Sequence, residues 1–148
     1  MKKLLVLLLL TACSENEPVF KIEEQFLVSR FDKFVSVAST FDVTVPKNNL
    51  ILRYKSDDNK QVNDSRGYKD GDQLIIEVDN KFIDYAAVYD DRVEFILFQL
   101  FAHHIVGTPY RDCGLMKQVV TGADIPADPQ MDHATYINLF DSSSPCLN

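Results

Sequence analysis

Residues 93–116 read VEFILFQLFAHHIVGTPYRDCGLM, and the character of this stretch decides the fold. From Val93 to Val106 only Glu94, Gln99, His103 and His104 interrupt the apolar residues. A surface helix needs a polar face, and this run has none, so it predicts a helix buried at the centre of the domain. Asp91 is placed to cap it with Glu94 as the third helical residue, and Gly107 with Pro109 just beyond supplies the stop. On such a helix Gln99 and His103, four apart, share one face, while Leu100 and His104 share the next.

The frame resembles the central segment of small bacterial lipoproteins of the zinc metallopeptidase (zincin-like) type, which reads E-I-L-F-F-H-E-I-G-H-A-L-L-G-R-P-H. Glu94, Phe95, Ile96, Leu97, Phe98, His103, Gly107 and Pro109 follow it. The resemblance implies an α+β domain in which two principal helices pack on a small twisted sheet. In the H-E-x-x-H motif of that family two imidazoles a turn apart bind zinc, and the glutamate beside the first activates the zinc-bound water. The alignment sets Gln99 at the first histidine, Leu100 at the catalytic glutamate, His103 at the second histidine and Tyr110 at the third ligand. A register one residue later, the metzincin spacing, sets Leu100 and Phe101 at the first histidine and the glutamate and again Tyr110 at the third ligand. The base position is apolar in both registers. No catalytic residue and no bound metal is therefore expected, and zinc enters only if the protein is an enzyme with substituted ligands. The family also carries a methionine beneath the metal, in the turn after the ligand helix. Met116 is placed either as a remnant of it or as core filler.

The chain opens with a targeting segment. Lys2 and Lys3 precede the apolar run Leu4 to Leu10, which is too short to span a bilayer needing roughly 20 residues. Leu10-Thr11-Ala12-Cys13 resembles a bacterial lipobox, which implies cleavage after residue 12 and lipidation of Cys13. Residues 13–19 then form a polar tether and 20–148 the domain. Ser14 after the cysteine resembles the sorting signal for the outer membrane, on the periplasmic side. Removing 12 of the 148 residues leaves 136, one domain's worth. The formal charge of −7 becomes −9 without Lys2 and Lys3. So acidic a surface repels phosphate backbones and anionic lipid, which excludes nucleic acid as a partner and points to no membrane contact beyond the anchor.

From Phe20 to Ala38 the apolar residues Leu27, Phe31, Phe34, Val35 and Ala38 recur at helical steps, with Ser29, Arg30, Asp32 and Lys33 on the wet side. Leu50 to Tyr54 reads as an edge strand. Ser56 to Lys69 is polar, a loop or ragged hairpin arm with solvated charges. Asp70-Gly71-Asp72 is a turn, and Leu74 to Val78 a strand suited to the inside of the sheet. Asn80 to Asp90 is expected to be a short helical or irregular crossover that packs Phe82, Ile83, Tyr85 and Tyr89 under the central helix. Gly122 to Gln130 reads as a surface loop. Asp132 to Phe140 reads as a closing helix with Tyr136, Ile137 and Phe140 inward.

With Cys13 consumed by lipid, Cys113 and Cys146 remain as a pair for a disulfide in an oxidising compartment, or else as two thiols. His103 and His104, on a buried helix, are by default neutral residues hydrogen-bonded to a carbonyl or carboxylate. A rearranged metal site joining either to His133 and Asp112 is chemically permitted, but no spacing selects it. The expected function is a lipid-anchored bacterial envelope protein with a catalytically inactive zincin-like domain that binds a peptide or protein. The alternatives are an active zinc metallopeptidase with substituted ligands and a structural envelope protein whose cleft has closed.

Overall fold

The computed structural model describes residues 18–55, 65–117 and 126–145, without the side chains of 82–84. The signal segment, Cys13, most of the tether and Cys146 lie outside the described residues. Along the chain come β1 (Phe20–Ile22), α1 (Gln25–Ser39), β2 (Leu50–Tyr54), β3 (Arg66–Asp70), β4 (Gln73–Val78) and α2 (Phe82–Phe101). A π-helical turn (Ala102–Val106), a 3-10 turn (Gly114–Met116) and α3 (His133–Phe140) follow. The sheet order is β1-β2-β4-β3, with β1, β2 and β4 parallel and β3 antiparallel at one edge. The domain is thus mixed α+β. None of its described helices is long and apolar enough to cross a membrane.

Side chains alternate across the sheet, and this sorts its two faces. Leu50 and Leu52 of β2 and Ile76 and Val78 of β4 are buried against the helices. Arg53 and Glu77, paired in register, point to the opposite face with Arg66 of β3. There Glu77 accepts from Arg53 Nη2 at 2.7 Å, Arg66 Nη2 at 2.8 Å and the Tyr68 hydroxyl at 3.1 Å. Burial alone would raise the Glu77 carboxyl, but these donors hold it below the usual carboxylate range.

On the helix side, α1 buries Leu27, Phe31, Phe34 and Ala38, as its periodicity predicts. Phe34 meets Phe98 and Phe101 of α2 edge to face, with ring centroids 5.3 and 5.5 Å apart. Aromatic pairs in this geometry add roughly 0.5–1.5 kcal/mol beyond the area they bury. Residues Val93 to Phe98 and Leu100 to Ala102 are buried without a break, so α2 is the central helix.

Several local expectations are corrected. Phe20–Ile22 is a strand rather than the start of α1, because pairing with β2 (Leu50 N–H to Val19 O, 3.0 Å; Glu23 N–H to Leu52 O, 3.1 Å) outweighs the helical pattern. That added strand makes β2 an inner strand, not an edge. Of the two alternatives for Ser56 to Lys69, a loop or a ragged hairpin arm, Arg66–Asp70 takes the arm, as the edge strand β3. The α2 helix begins at Phe82 and breaks at Tyr89 (φ −134°, ψ 54°), so Asp91 lies inside it and does not cap it. In α3 the residues fully inside are Asn138 and Leu139 rather than Ile137 and Phe140, which are half-buried, while Tyr136 is buried as expected.

Arg30 is the remaining correction, and it explains Glu94. The Arg30 side chain is only 16% exposed because it bridges from α1 to Asp90 and, at 3.2 Å, to Glu94 of α2. Glu94, 1% exposed, also accepts from Lys33 Nζ at 2.5 Å and from the Tyr136 hydroxyl of α3 at 3.1 Å. Burial and the Glu94 charge raise the Tyr136 phenol well above its ordinary value, so it stays a donor. One carboxylate thus links three helices.

Removing one partner of a buried ion pair strands the other, at a typical cost of about 3–5 kcal/mol. Glu94→Ala is expected to lose about 3 kcal/mol in urea unfolding. Because Arg30→Ala removes the same contact, the double variant is expected to lose clearly less than the sum of the two single changes.

Candidate functional site

Beyond Phe101 the central helix widens into the π-helical turn, in which the Ala102 carbonyl accepts from both Gly107 N–H and Thr108 N–H at 3.0 Å. Gly107 closes it in the left-handed region (φ 89°), the stop expected of that residue. Single π-turns inside helices recur at functional sites, since the extra residue reorients the side chains on the turn. Here the turn carries His103 and His104, both half-buried.

His103 has a fixed role. Its Nδ1 donates to the Thr108 carbonyl at 3.0 Å, which leaves Nε2 as the acceptor nitrogen. Its ring stacks on Tyr110 (centroids 4.0 Å, 22°) and meets the His104 ring edge to face at 4.8 Å. Thr108 is itself held, its hydroxyl donating to the Leu139 carbonyl of α3 at 2.6 Å. Burial pushes the Tyr110 phenol up, so it is neutral.

Gln99 points elsewhere. It is 3% exposed, and its Nε2 donates to the carbonyls of Leu115 at 2.5 Å and Lys117 at 2.6 Å, on either side of Met116. That grip fixes the 3-10 turn beneath the helix, where Met116 is fully buried in the core. Arg111 N–H to Met116 O at 2.8 Å closes the same loop. Leu100 is buried among apolar neighbours. Of the four frame positions, the structure therefore brings together His103 and Tyr110, and turns Gln99 and Leu100 into packing.

This donor set does not fit zinc. It offers one imidazole nitrogen and a neutral phenol, while the Gln99 amide is committed to two backbone carbonyls. Among the described residues no three His, Cys, Asp or Glu side chains are grouped closely enough to hold a metal ion, so His133 and Asp112 do not join the pair. His133 is exposed and stacked on Phe41 at 4.7 Å. Cys113 is disulfide-bonded, and Cys146, its expected partner, lies outside the described residues.

Sequence reasoning missed Gly67. A Cβ built on Gly67 would fall 2.3 Å from the His104 ring, so the imidazole occupies the place of the absent side chain. A lone glycine inside a strand marks such a close approach, a signal that becomes readable only once Arg66–Asp70 is assigned as a strand. The hairpin also fixes which way the β3 backbone faces. Gly71 and Asp72 form a two-residue loop flanked by the pair Asp70 and Gln73. Ladder bonds alternate from that pair, so Asp70, Tyr68 and Arg66 turn their amides toward β4, while Gly67 and Lys69 turn theirs to the outer edge. An edge strand with outward amides thus lies directly against the π-helical turn.

Comparisons with protein-family models, curated proteins and solved structures give no match to this chain.

Gly67→Ala is expected to cost about 1–3 kcal/mol, the usual penalty of overpacking, and His104→Ala in the same chain should relieve most of it. Urea unfolding of the two single variants and the double variant measures that coupling. The pH dependence has a definite sign. Burial, aided by the neighbouring His103, lowers the His104 pKa below its ordinary 6.5, so the unfolded chain takes up that proton first. Stability from this group is complete above about pH 6.5 and declines as pH falls from there toward the depressed value. His104→Ala should flatten the decline, as read from denaturant midpoints between about pH 7.5 and 5.

Proposed function

We propose that this chain is a lipid-anchored bacterial envelope protein whose zincin-like domain binds an extended peptide segment along β3 without cleaving it. The observation that carries the reading is the placement of β3. Its amides at Gly67 and Lys69 face the outer edge, and the strand lies against the turn that bears His103 and His104. A peptide strand added there would gain main-chain hydrogen bonds, and every second side chain would lie over the His103, His104 and Tyr110 rings. The zincin-like reading is supported by a parallel sheet with one antiparallel edge strand, followed at once by a central helix in the frame described above.

The absence of cleavage follows from chemistry. Hydrolysis of that type needs three metal ligands, an activated water and a base, and general-base assistance alone is typically worth ~10²–10⁴ in rate. Leu100 at the base position has no titratable group, and its isobutyl side chain desolvates the place where the water would sit. Lipid on Cys13 would hold the domain at the outer membrane, facing the periplasm. In that oxidising compartment a Cys113–Cys146 bridge would close a loop of about 30 residues, worth roughly 3–4 kcal/mol in the chain-entropy model.

Lys69→Pro removes one outward amide and no ladder bond to β4, so it separates peptide pairing from folding. Extended peptides selected from a display library are expected to bind the parent chain and to lose at least tenfold in affinity with Lys69→Pro, read by fluorescence anisotropy. About one zinc per chain after dialysis, or chelator-sensitive cleavage of casein, would overturn the reading in favour of an enzyme with substituted ligands.

A further inference from the structure

At the end of the sheet where β1, β2 and β4 begin, apolar side chains lie open to solvent. Val19 is 38% and Phe20 45% exposed, beside exposed Pro18 and Pro46. They are held in place: Val19 N–H donates to Asn49 Oδ1 at 3.2 Å, and the Phe20 ring contacts Phe31 with centroids 5.7 Å apart. The exposed Lys47 lays its ammonium over the Phe20 ring, 5.5 Å from the centroid. Aromatic rings and lysine stems capped by an ammonium suit the boundary between acyl chains and headgroups.

We propose that this end of the domain, Val19 and Phe20 with Lys47, rests in the interface of the phospholipid bilayer, an inference that builds on lipidation of Cys13. Tether length carries it. Residues 13–17 span at most roughly 17 Å at about 3.5 Å each, and the headgroup layer takes up about 5–8 Å of that reach. With the two further residues to Phe20 at the same rise, the Val19–Phe20 end never strays more than roughly 20 Å from the membrane surface. Tethering at such range raises the effective concentration of the patch at the interface, so modest apolar burial suffices to populate the seated state. The expectation of no membrane contact beyond the anchor rests on charge, and this apolar end departs from it, since attraction to anionic lipid is not what seats it. Lys21 is paired to Glu23 at 3.0 Å, Glu24 is exposed beside them, and the whole chain is acidic.

The chain has no tryptophan, which makes Phe20→Trp a single-site reporter. Lipidated Phe20→Trp protein in phosphatidylcholine vesicles containing brominated acyl chains is expected to show blue-shifted indole emission quenched at least twofold, and Val19→Trp should behave alike if Phe20→Trp disturbs folding. Val88→Trp is the control. Val88 is 71% exposed and lies on α2 shortly after the chain leaves the opposite end of β4, so the emission of that variant should be unquenched. Vesicle-bound lipidated protein in which neither Phe20→Trp nor Val19→Trp is quenched overturns the proposal and leaves the anchor intact. Mass spectrometry showing an unmodified Cys13 overturns the anchor and the proposal together.

Discussion

Everything else in this domain follows from the need to cover α2 on all sides. A helix that is apolar from Val93 to Phe98 and again from Leu100 to Ala102, Glu94 apart, gains little from a single partner, because any uncovered face would leave several large side chains in water. Leu52, Ile76 and Val78 of the sheet supply one cover, Phe31 and Phe34 of α1 a second, and Tyr136 and Leu139 of α3 with Leu115 and Met116 a third. The 3-10 turn is the least obvious of these covers. It has no helix or strand length of its own, yet it buries two side chains because Gln99 grips the carbonyls at Leu115 and Lys117.

The same constraint sets the terms for the two polar side chains in the run. An unpaired buried carboxylate or amide costs several kcal/mol, so Glu94 and Gln99 must each find partners. Glu94 reaches outward to Arg30 and Lys33 of α1 and to Tyr136 of α3, while Gln99 reaches to backbone. Buried polar groups of this kind often add no stability over well-packed apolar replacements, and their better-attested effect is to fix one arrangement among several. Here they fix rotation about the α2 axis. Turning the helix by one residue would carry Glu94 away from α1 and Gln99 away from the turn at once.

That division explains which features were legible in the sequence. The buried helix, its Gly107 stop, the apolar face of α1, the Gly71-Asp72 turn and the inner strand β4 all rest on local pattern, and local pattern is what one sequence carries. The closing helix α3 belongs with them; its cap, the Asp132 carboxylate accepting from Thr135 N–H at 2.9 Å, is a finding of the structure. What escaped depends on pairing between distant segments. Phe20–Ile22 is too short to show a strand period and becomes one only because β2 lies beside it. Arg30 looks solvent-facing by its own helix's periodicity and is covered only because Asp90 and Glu94 come to it from elsewhere. The candidate site divides in the same way. His103 and Tyr110, seven residues apart, were placed together from the frame alone, whereas the contact of His104 with Gly67 joins segments 37 positions apart and left only a lone glycine as its trace.

Gln99 has a structural task that a metal-binding imidazole at its position could not perform. An imidazole at that position, aimed at a metal, could not also satisfy two carbonyls of the turn below, because a ring nitrogen bound to metal has no proton to donate. The amide of Gln99 has two N–H donors, and it spends them on Leu115 and Lys117 at 2.5 and 2.6 Å, drawing the turn up against the helix. Leu100, the next residue, is packed into the hydrophobic core. His103 keeps the second-nitrogen contact that orients a ligand histidine, Nδ1 to a carbonyl, yet its ring is stacked on Tyr110, so it forms part of a ring surface next to β3. On the proposed reading, that surface holds an extended chain by contact and main-chain pairing.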